Sequence, residues 1–154
     1  MRRLALALTV LLLSGCGSIP APPPAASPQE RFWADQALVL LDGLDDALGQ
    51  ITAAGVGPRT LTNSSLLYSA LLGYTYVETC GEQLSHLGQP SERELSASDQ
   101  LHRACPHLRR ATALFRRAVA QKRAAPLVTA ASEALGTIPL LRKARATLAP
   151  IAED

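Results

Sequence analysis

The sequence predicts an all-α protein, an antiparallel four-helix bundle, and three observations carry that expectation. The 154 residues are rich in Ala and Leu and only 4% aromatic, a composition of good helix formers. Four segments of similar length repeat apolar residues at helical spacing and are joined by short connections, as in an up-down-up-down bundle. No segment alternates apolar and polar residues for long enough to demand a strand.

The first helix has a clear start. Ser27 is placed to cap it, Pro28 fits the first helical position, and Glu30 completes a capping box. Trp33, Ala37, Leu40, Leu41, Leu44, Leu48 and Ile51 recur on one face, with Asp35, Asp42 and Asp46 opposite. Gly55, Gly57 and Pro58 end it. The second helix covers residues 63–87, from the capping residue Asn63 to the stop at Gly88. Its expected core stripe is Leu67, Ala70, Leu71, Tyr74, Val77 and Leu84. No charge falls between Arg59 and Glu78, and Tyr68, Leu72 and Tyr76 occupy the side away from that stripe.

The third helix opens near Ser91, with Glu94 three residues on as a second capping box. It continues through Leu101, Cys105, Leu108, Thr112, Phe115 and Val119. Pro106 removes a backbone donor and crowds the preceding turn, so a kink or a restart is expected there. The fourth helix covers residues 126–148, with a break expected near Gly136 and Pro139. Its inner face is Leu127, Ala131, Leu135, Ile138, Leu141 and Leu148. Cys80 and Cys105 flank the turn between the second and third helices at comparable distances, so an antiparallel hairpin brings them level.

The amino terminus carries an export pattern. Arg2 and Arg3 precede an apolar run over residues 4–13, about half the roughly 20 residues that a bilayer span needs. It ends in Leu13-Ser14-Gly15-Cys16. This stretch resembles the lipobox of bacterial lipoproteins. The resemblance implies that residues 1–15 are a signal peptide, that Cys16 carries a diacylglyceryl thioether and usually an acyl chain (palmitate or similar) on its amine, and that the protein is lipid-anchored outside the cytoplasm. Two or more chains give stable anchoring. Residues 16–28 then form a lipidated cysteine and tether, with Pro20, Pro22, Pro23, Pro24 and Pro28 favouring extended polyproline II, and residues 29–154 form the helical domain. In an exported protein the remaining even pair, Cys80 and Cys105, reads as a disulfide.

Removing residues 1–15 takes away Arg2 and Arg3 and leaves 13 basic and 13 acidic residues, so the formal charge of +2 belongs to the signal segment. A charge argument for nucleic acid thereby fails, and no nucleic-acid partner is expected. No cofactor is expected either. Covalent haem needs Cys-x-x-Cys-His, which Cys105-Pro106-His107 is not, and Met1 is the only methionine, against a methionine-rich copper carrier. Glu78, Glu82 and His86 share a helical face, but the Glu-x-x-His spacing of di-iron bundles is missing, so no metal site is expected. No Gly-x-Ser-x-Gly elbow, phosphate loop or His-Glu-x-x-His motif occurs, and no catalytic residue is expected. The bland reading of Glu78 and Glu82 pairs them with Arg109 and Arg103 across the hairpin.

Two surfaces remain as candidate sites. One is the face of Tyr68, Leu72 and Tyr76, a partner-binding surface. The other is a basic stripe of Arg103, Arg110 and Arg117, seven apart, with no acid between Asp99 and Glu133, suited to anionic headgroups or an acidic partner. The expected function is a membrane-anchored, non-enzymatic protein-binding or structural module of the cell envelope. The alternatives are an apolar-ligand site opened around Gly73, Gly81 and Gly136, and an enzyme. A disulfide-linked four-helix arrangement of this length is similar in architecture to some secretion-system pilotins, an analogy of shape alone.

Overall fold

Every regular element among the described residues, 24–154 of a computed structural model, is helical. The expected signal segment 1–15, the lipidation site Cys16 and the tether through residue 23 lie outside the described residues.

Helix α1, Pro28–Ala54, begins with the expected capping box. The Ser27 hydroxyl accepts from the Glu30 N–H at 3.2 Å, and the Glu30 carboxylate accepts from the Ser27 N–H at 2.7 Å. Those bonds hold the Glu30 carboxyl below its ordinary range. The whole predicted stripe from Trp33 to Ile51 is buried. Gly55 ends the helix at φ 76°, a left-handed conformation that favours glycine. A short helix, α2 (Pro58–Thr62), was not anticipated. Buried Thr60 donates to the Ala54 carbonyl at 2.7 Å and closes the end of α1.

The segment expected as one second helix is two, α3 (Ser64–Glu78) and α4 (Cys80–His86). Asn63 caps α3 as predicted, its side-chain oxygen accepting from the Ser65 and Leu66 N–H groups. The division falls at Thr79. Its hydroxyl donates to the Tyr76 carbonyl at 2.8 Å, and its N–H bonds to the same carbonyl at 3.1 Å, tightening the turn.

Helix α5, Leu95–Gln121, starts later than Ser91. The second capping box is half made. Glu94 accepts from the Ser91 N–H at 2.7 Å, but the Ser91 hydroxyl donates to Glu30 at 3.1 Å and does not cap. No restart occurs at Pro106: α5 runs through it as one helix. Pro106 faces solvent, while Ala104, Cys105 and Leu108 on the inner side are buried. Lys122 ends the helix at φ 51°, with the Arg123 N–H reaching back to the Ala118 carbonyl. The break near Gly136 is present. It separates α6 (Ala124–Leu135) from α7 (Ile138–Glu153), and α7 extends the predicted fourth segment beyond Leu148.

Helices α1 and α5 each pack against α3, α4, α6 and α7, so those helices lie between them. Tyr74 and Phe115 stack in the core with ring centroids 4.4 Å apart. The buried Thr112 hydroxyl donates to the Tyr74 carbonyl at 2.8 Å. Cys80 and Cys105 are bonded, with a Cα–Cα separation of 5.3 Å, joining α4 to α5. At one end, Arg93 meets Asp154 at 3.0 Å and the Pro24 carbonyl at 3.2 Å, gathering the start of the described chain, the α4–α5 connection and the carboxyl terminus.

Gly73 sets the approach of α3 to α1. A Cβ there would lie 2.6 Å from the Ala47 carbonyl oxygen and 2.8 Å from Ile51 Cγ1. Gly73→Ala should therefore destabilise by about 1–3 kcal/mol through overpacking, despite its better helix propensity. Gly49→Ala, with nothing within 4 Å of the new Cβ, should be neutral or stabilising. Denaturant titration of the two variants checks the contrast. Replacing both Cys80 and Cys105 by alanine frees a loop whose ends are 25 residues apart and should cost about 3 kcal/mol, seen as a lower thermal midpoint that reductant no longer changes.

Candidate functional site

The buried line of α3 is Ala70, Gly73, Tyr74 and Val77, and the contact at Gly73 fixes its rotation. Leu71, expected in the core, is therefore exposed, about 100° around the helix from Ala70. Tyr68 is 61% exposed and Leu72 44%. Tyr76 departs from the expectation of a free face. It is half-buried, its ring lies over Gly43 of α1, and its hydroxyl donates to Gln83 at 3.4 Å. The absence of a side chain at Gly43 makes room for that ring.

The apolar surface continues across the α1 seam. Gly43 meets Tyr76, and the Ser69 hydroxyl reaches the Gln50 carbonyl at 3.5 Å, so the two helices run antiparallel in a register that brings Gln36 beside Gln83 and Phe32 beside Leu87. Phe32 is 66% exposed and Val39 64%. They flank a groove of about 450 Å³ that also includes His86. The exposed apolar side chains of this surface are Tyr68, Leu71, Leu72 and the edge of Tyr76 on α3 and Val39 and Phe32 on α1, a seam interrupted in the groove by Gln36, Glu82, Gln83 and His86. The α1 part was missed from the sequence. Its signal was present: Phe32 and Val39 are large apolar residues seven apart and off the Trp33 stripe.

The basic stripe is on the outward face of α5. Arg103, Arg110 and Arg117 are all exposed. Arg110 lies 3.6 Å from Glu133, and His107 Nδ1 lies 2.9 Å from the other oxygen of the same carboxylate. The hydrogen bond with His107 is the main reason the Glu133 carboxyl is held below its ordinary range. The expected pairs of Glu78 with Arg109 and Glu82 with Arg103 do not form. Glu78 accepts two bonds from the fork of Arg116, at 2.9 and 2.6 Å, a geometry a single-point contact does not offer. Across the molecule Arg145 holds Asp42 and Asp45 at 2.7 and 2.8 Å.

The other candidates are differently placed. Among the described residues no three His, Cys, Asp or Glu side chains cluster to hold a metal, and Arg116 occupies Glu78. The glycines of the apolar-ligand alternative do not surround a common space. Gly73 is wedged against α1, and Gly136 is hemmed by the Ser132 carbonyl. Gly81 lines a recess of about 690 Å³ above the disulfide, together with Glu82, His102 and Arg109. That recess has no serine, threonine or free cysteine in its lining.

Charge is divided between the halves of the chain. Residues 28–86 carry two basic and seven acidic side chains, whereas residues 95–153 carry ten basic and three acidic. The apolar seam belongs to the acidic half and the arginine stripe to the basic half. No family model matches the chain, and no curated protein or solved structure matches it.

Proposed function

We propose that the protein is an extracytoplasmic lipoprotein, anchored to a bacterial membrane through Cys16, whose helical domain is a non-enzymatic protein-binding module of the cell envelope. In this reading residues 1–15 are removed, residues 16–28 are the lipidated cysteine and tether, and residues 29–154 are an antiparallel four-helix bundle. Its rods are α1, α3 with α4, α5, and α6 with α7. The near-continuity of α3 with α4 across Thr79, and of α6 with α7 across Gly136 and Thr137, supports that grouping.

The observation that carries the binding reading is the apolar seam. Large side chains at Tyr68, Leu71, Leu72, Val39 and Phe32 remain in contact with water after the core is complete. Exposed apolar surface of this kind marks places where proteins meet, and aromatic residues are enriched there. The residues flanking it on α1 are acidic, so the partner surface that fits is apolar with a basic rim.

Leu72→Asp should abolish crosslinking of the protein to its partner in intact membranes. Its stability should stay within about 0.5 kcal/mol of the parent, because Leu72 is at the surface. A loss of several kcal/mol on thermal unfolding would place Leu72 in the core and remove the basis of the seam. Independently, Cys16→Ser should leave the precursor unprocessed or release the protein from the membrane fraction. Unchanged mass and unchanged sedimentation with membranes would overturn the lipoprotein reading.

A further inference from the structure

The equal numbers of acidic and basic residues in positions 16–154 hide two faces of opposite sign. We propose that the outward face of α5 rests on anionic phospholipid headgroups, so that the domain lies side-on to the membrane with the seam of α1 and α3 turned away from it. The proposal rests on the anchored reading above, which supplies the membrane.

Arg103, Arg110 and Arg117 repeat every seventh residue, and a heptad drifts by only about 20° around a helix. They therefore form a line almost parallel to the axis of α5, about 21 Å long at 1.5 Å per residue. Arg103, Arg109 and Arg117 have no acidic partner within 4.0 Å among the described residues. Lys122 and Arg123 follow the end of α5. Arg116 holds Glu78, and His107 with Arg110 holds Glu133. Asp99, one turn before Arg103, and Glu82, in the recess beside Arg109, are the other acids near this face, so the five arginines 103, 109, 110, 116 and 117 outnumber the four acids. The planar guanidinium fork matches phosphate oxygens and is weakly hydrated, so a row of arginines suits a headgroup layer.

The rest of the molecule reinforces this orientation. Helix α1 sits across the molecule from α5 and carries Glu30, Asp35, Asp42, Asp45 and Asp46 against Arg31 on the same helix and Arg145 of α7, which holds Asp42 and Asp45. An anionic surface repels that side while it attracts α5. The anchor length permits the pose. Eight residue steps separate Cys16 from Pro24, at most about 25 Å when extended. The described chain starts beside the α4–α5 connection, through Arg93 to the Pro24 carbonyl and Ser91 to Glu30. A domain of this size has a radius of gyration of about 14 Å, so α5 reaches the surface without straining the tether.

The test uses residues 16–154, the mature chain of this reading, carrying Cys16→Ser, so that neither the signal segment nor an acyl chain contributes. Sedimentation with phosphatidylcholine vesicles is compared with sedimentation when about a third of the lipid is phosphatidylglycerol, at low and high salt. Binding should require the anionic lipid and be lost at high salt. The combined Arg103→Gln, Arg109→Gln and Arg117→Gln variant should bind roughly a hundredfold more weakly, and each single variant about fivefold. Asp35→Asn with Asp46→Asn changes net charge on the opposite side and should leave vesicle binding within about twofold. If the two acidic replacements shift binding as much as the arginine replacements do, net charge and not the α5 face is responsible, and the proposal fails. It also fails if neutral vesicles bind equally, if no vesicles bind, or if single-stranded polynucleotide binds more tightly with the same arginine dependence. The mass of the protein purified from membranes, with or without Cys16→Ser, reports the acyl additions and the removal of residues 1–15 and bears on the anchor alone, so the two readings fail separately.

Discussion

Helix α3 has no charged residue before Glu78, so water alone cannot decide which way it faces; its contacts decide. Two of them act together. On one side Gly73 lets the α3 backbone press against Ala47 and Ile51 of α1. On the other, Tyr74 stacks on Phe115, and its carbonyl accepts from Thr112, tying the same turn to α5. Gly73 and Tyr74 are adjacent, so α1 and α5 grip one turn of α3 from different sides. The disulfide fixes the register one and a half turns further on. Burial pushes the Tyr74 phenol above its ordinary range and leaves its hydroxyl without a partner among the described residues. The stacking and close packing around that ring offset the cost of the lone hydroxyl.

Once α3 is held in this orientation, the apolar seam follows. Four inward positions, Ala70, Gly73, Tyr74 and Val77, complete its buried face, and two of the four are small. The large residues on the rest of the helix have nowhere to go but outward. Tyr76 is the intermediate case, because Gly43 leaves a shallow place for its ring beside α1. Small residues inside and large ones outside invert the usual distribution on an amphipathic helix. This inversion makes α3 informative about binding: its composition exceeds what its packing needs.

Much of the fold was legible because α1, α5 and the α6–α7 pair obey helical periodicity and have clear caps and stops. Ser27 with Glu30, Asn63, Gly55 and the Gly136 region act through local chemistry, and each lies within a few residues of what it controls. The misreadings share a different cause. Whether Pro106 breaks α5 depends on tertiary packing outweighing the loss of one backbone bond, and no local signal reports that balance. The division at Thr79 turns on a hydroxyl choosing its neighbour's carbonyl. Leu71 and Tyr76 were misplaced because an all-apolar helix contains several plausible stripes, and the deciding contact at Gly73 comes from 22 or more residues away. The Arg116–Glu78 pair likewise spans 38 positions. Of the candidate site, the residues of α3 and α5 were readable as deviations from a simple bundle pattern. The contribution of Phe32 and Val39 depends on the antiparallel register, which places them beside Gln83 and Leu87.

The two faces also constrain each other. An ion pair at the surface contributes little to stability, about 0–1 kcal/mol, so the segregation of charge between the halves of the chain is not needed to hold the helices together. Mixing the same residues evenly would leave the core unchanged and would improve the scatter of charge that keeps small domains soluble. Segregation instead gives the molecule a direction. A domain held on a short tether otherwise tumbles against the bilayer, and an apolar seam that met the membrane would be occupied by lipid and lost to a protein partner. In the orientation proposed above, attraction at α5 and repulsion at α1 would keep Tyr68, Leu72 and Phe32 facing the aqueous side. In this arrangement the arginine stripe needs no partner specificity of its own. Its role in the proposal would be to present the seam, and the seam would supply recognition.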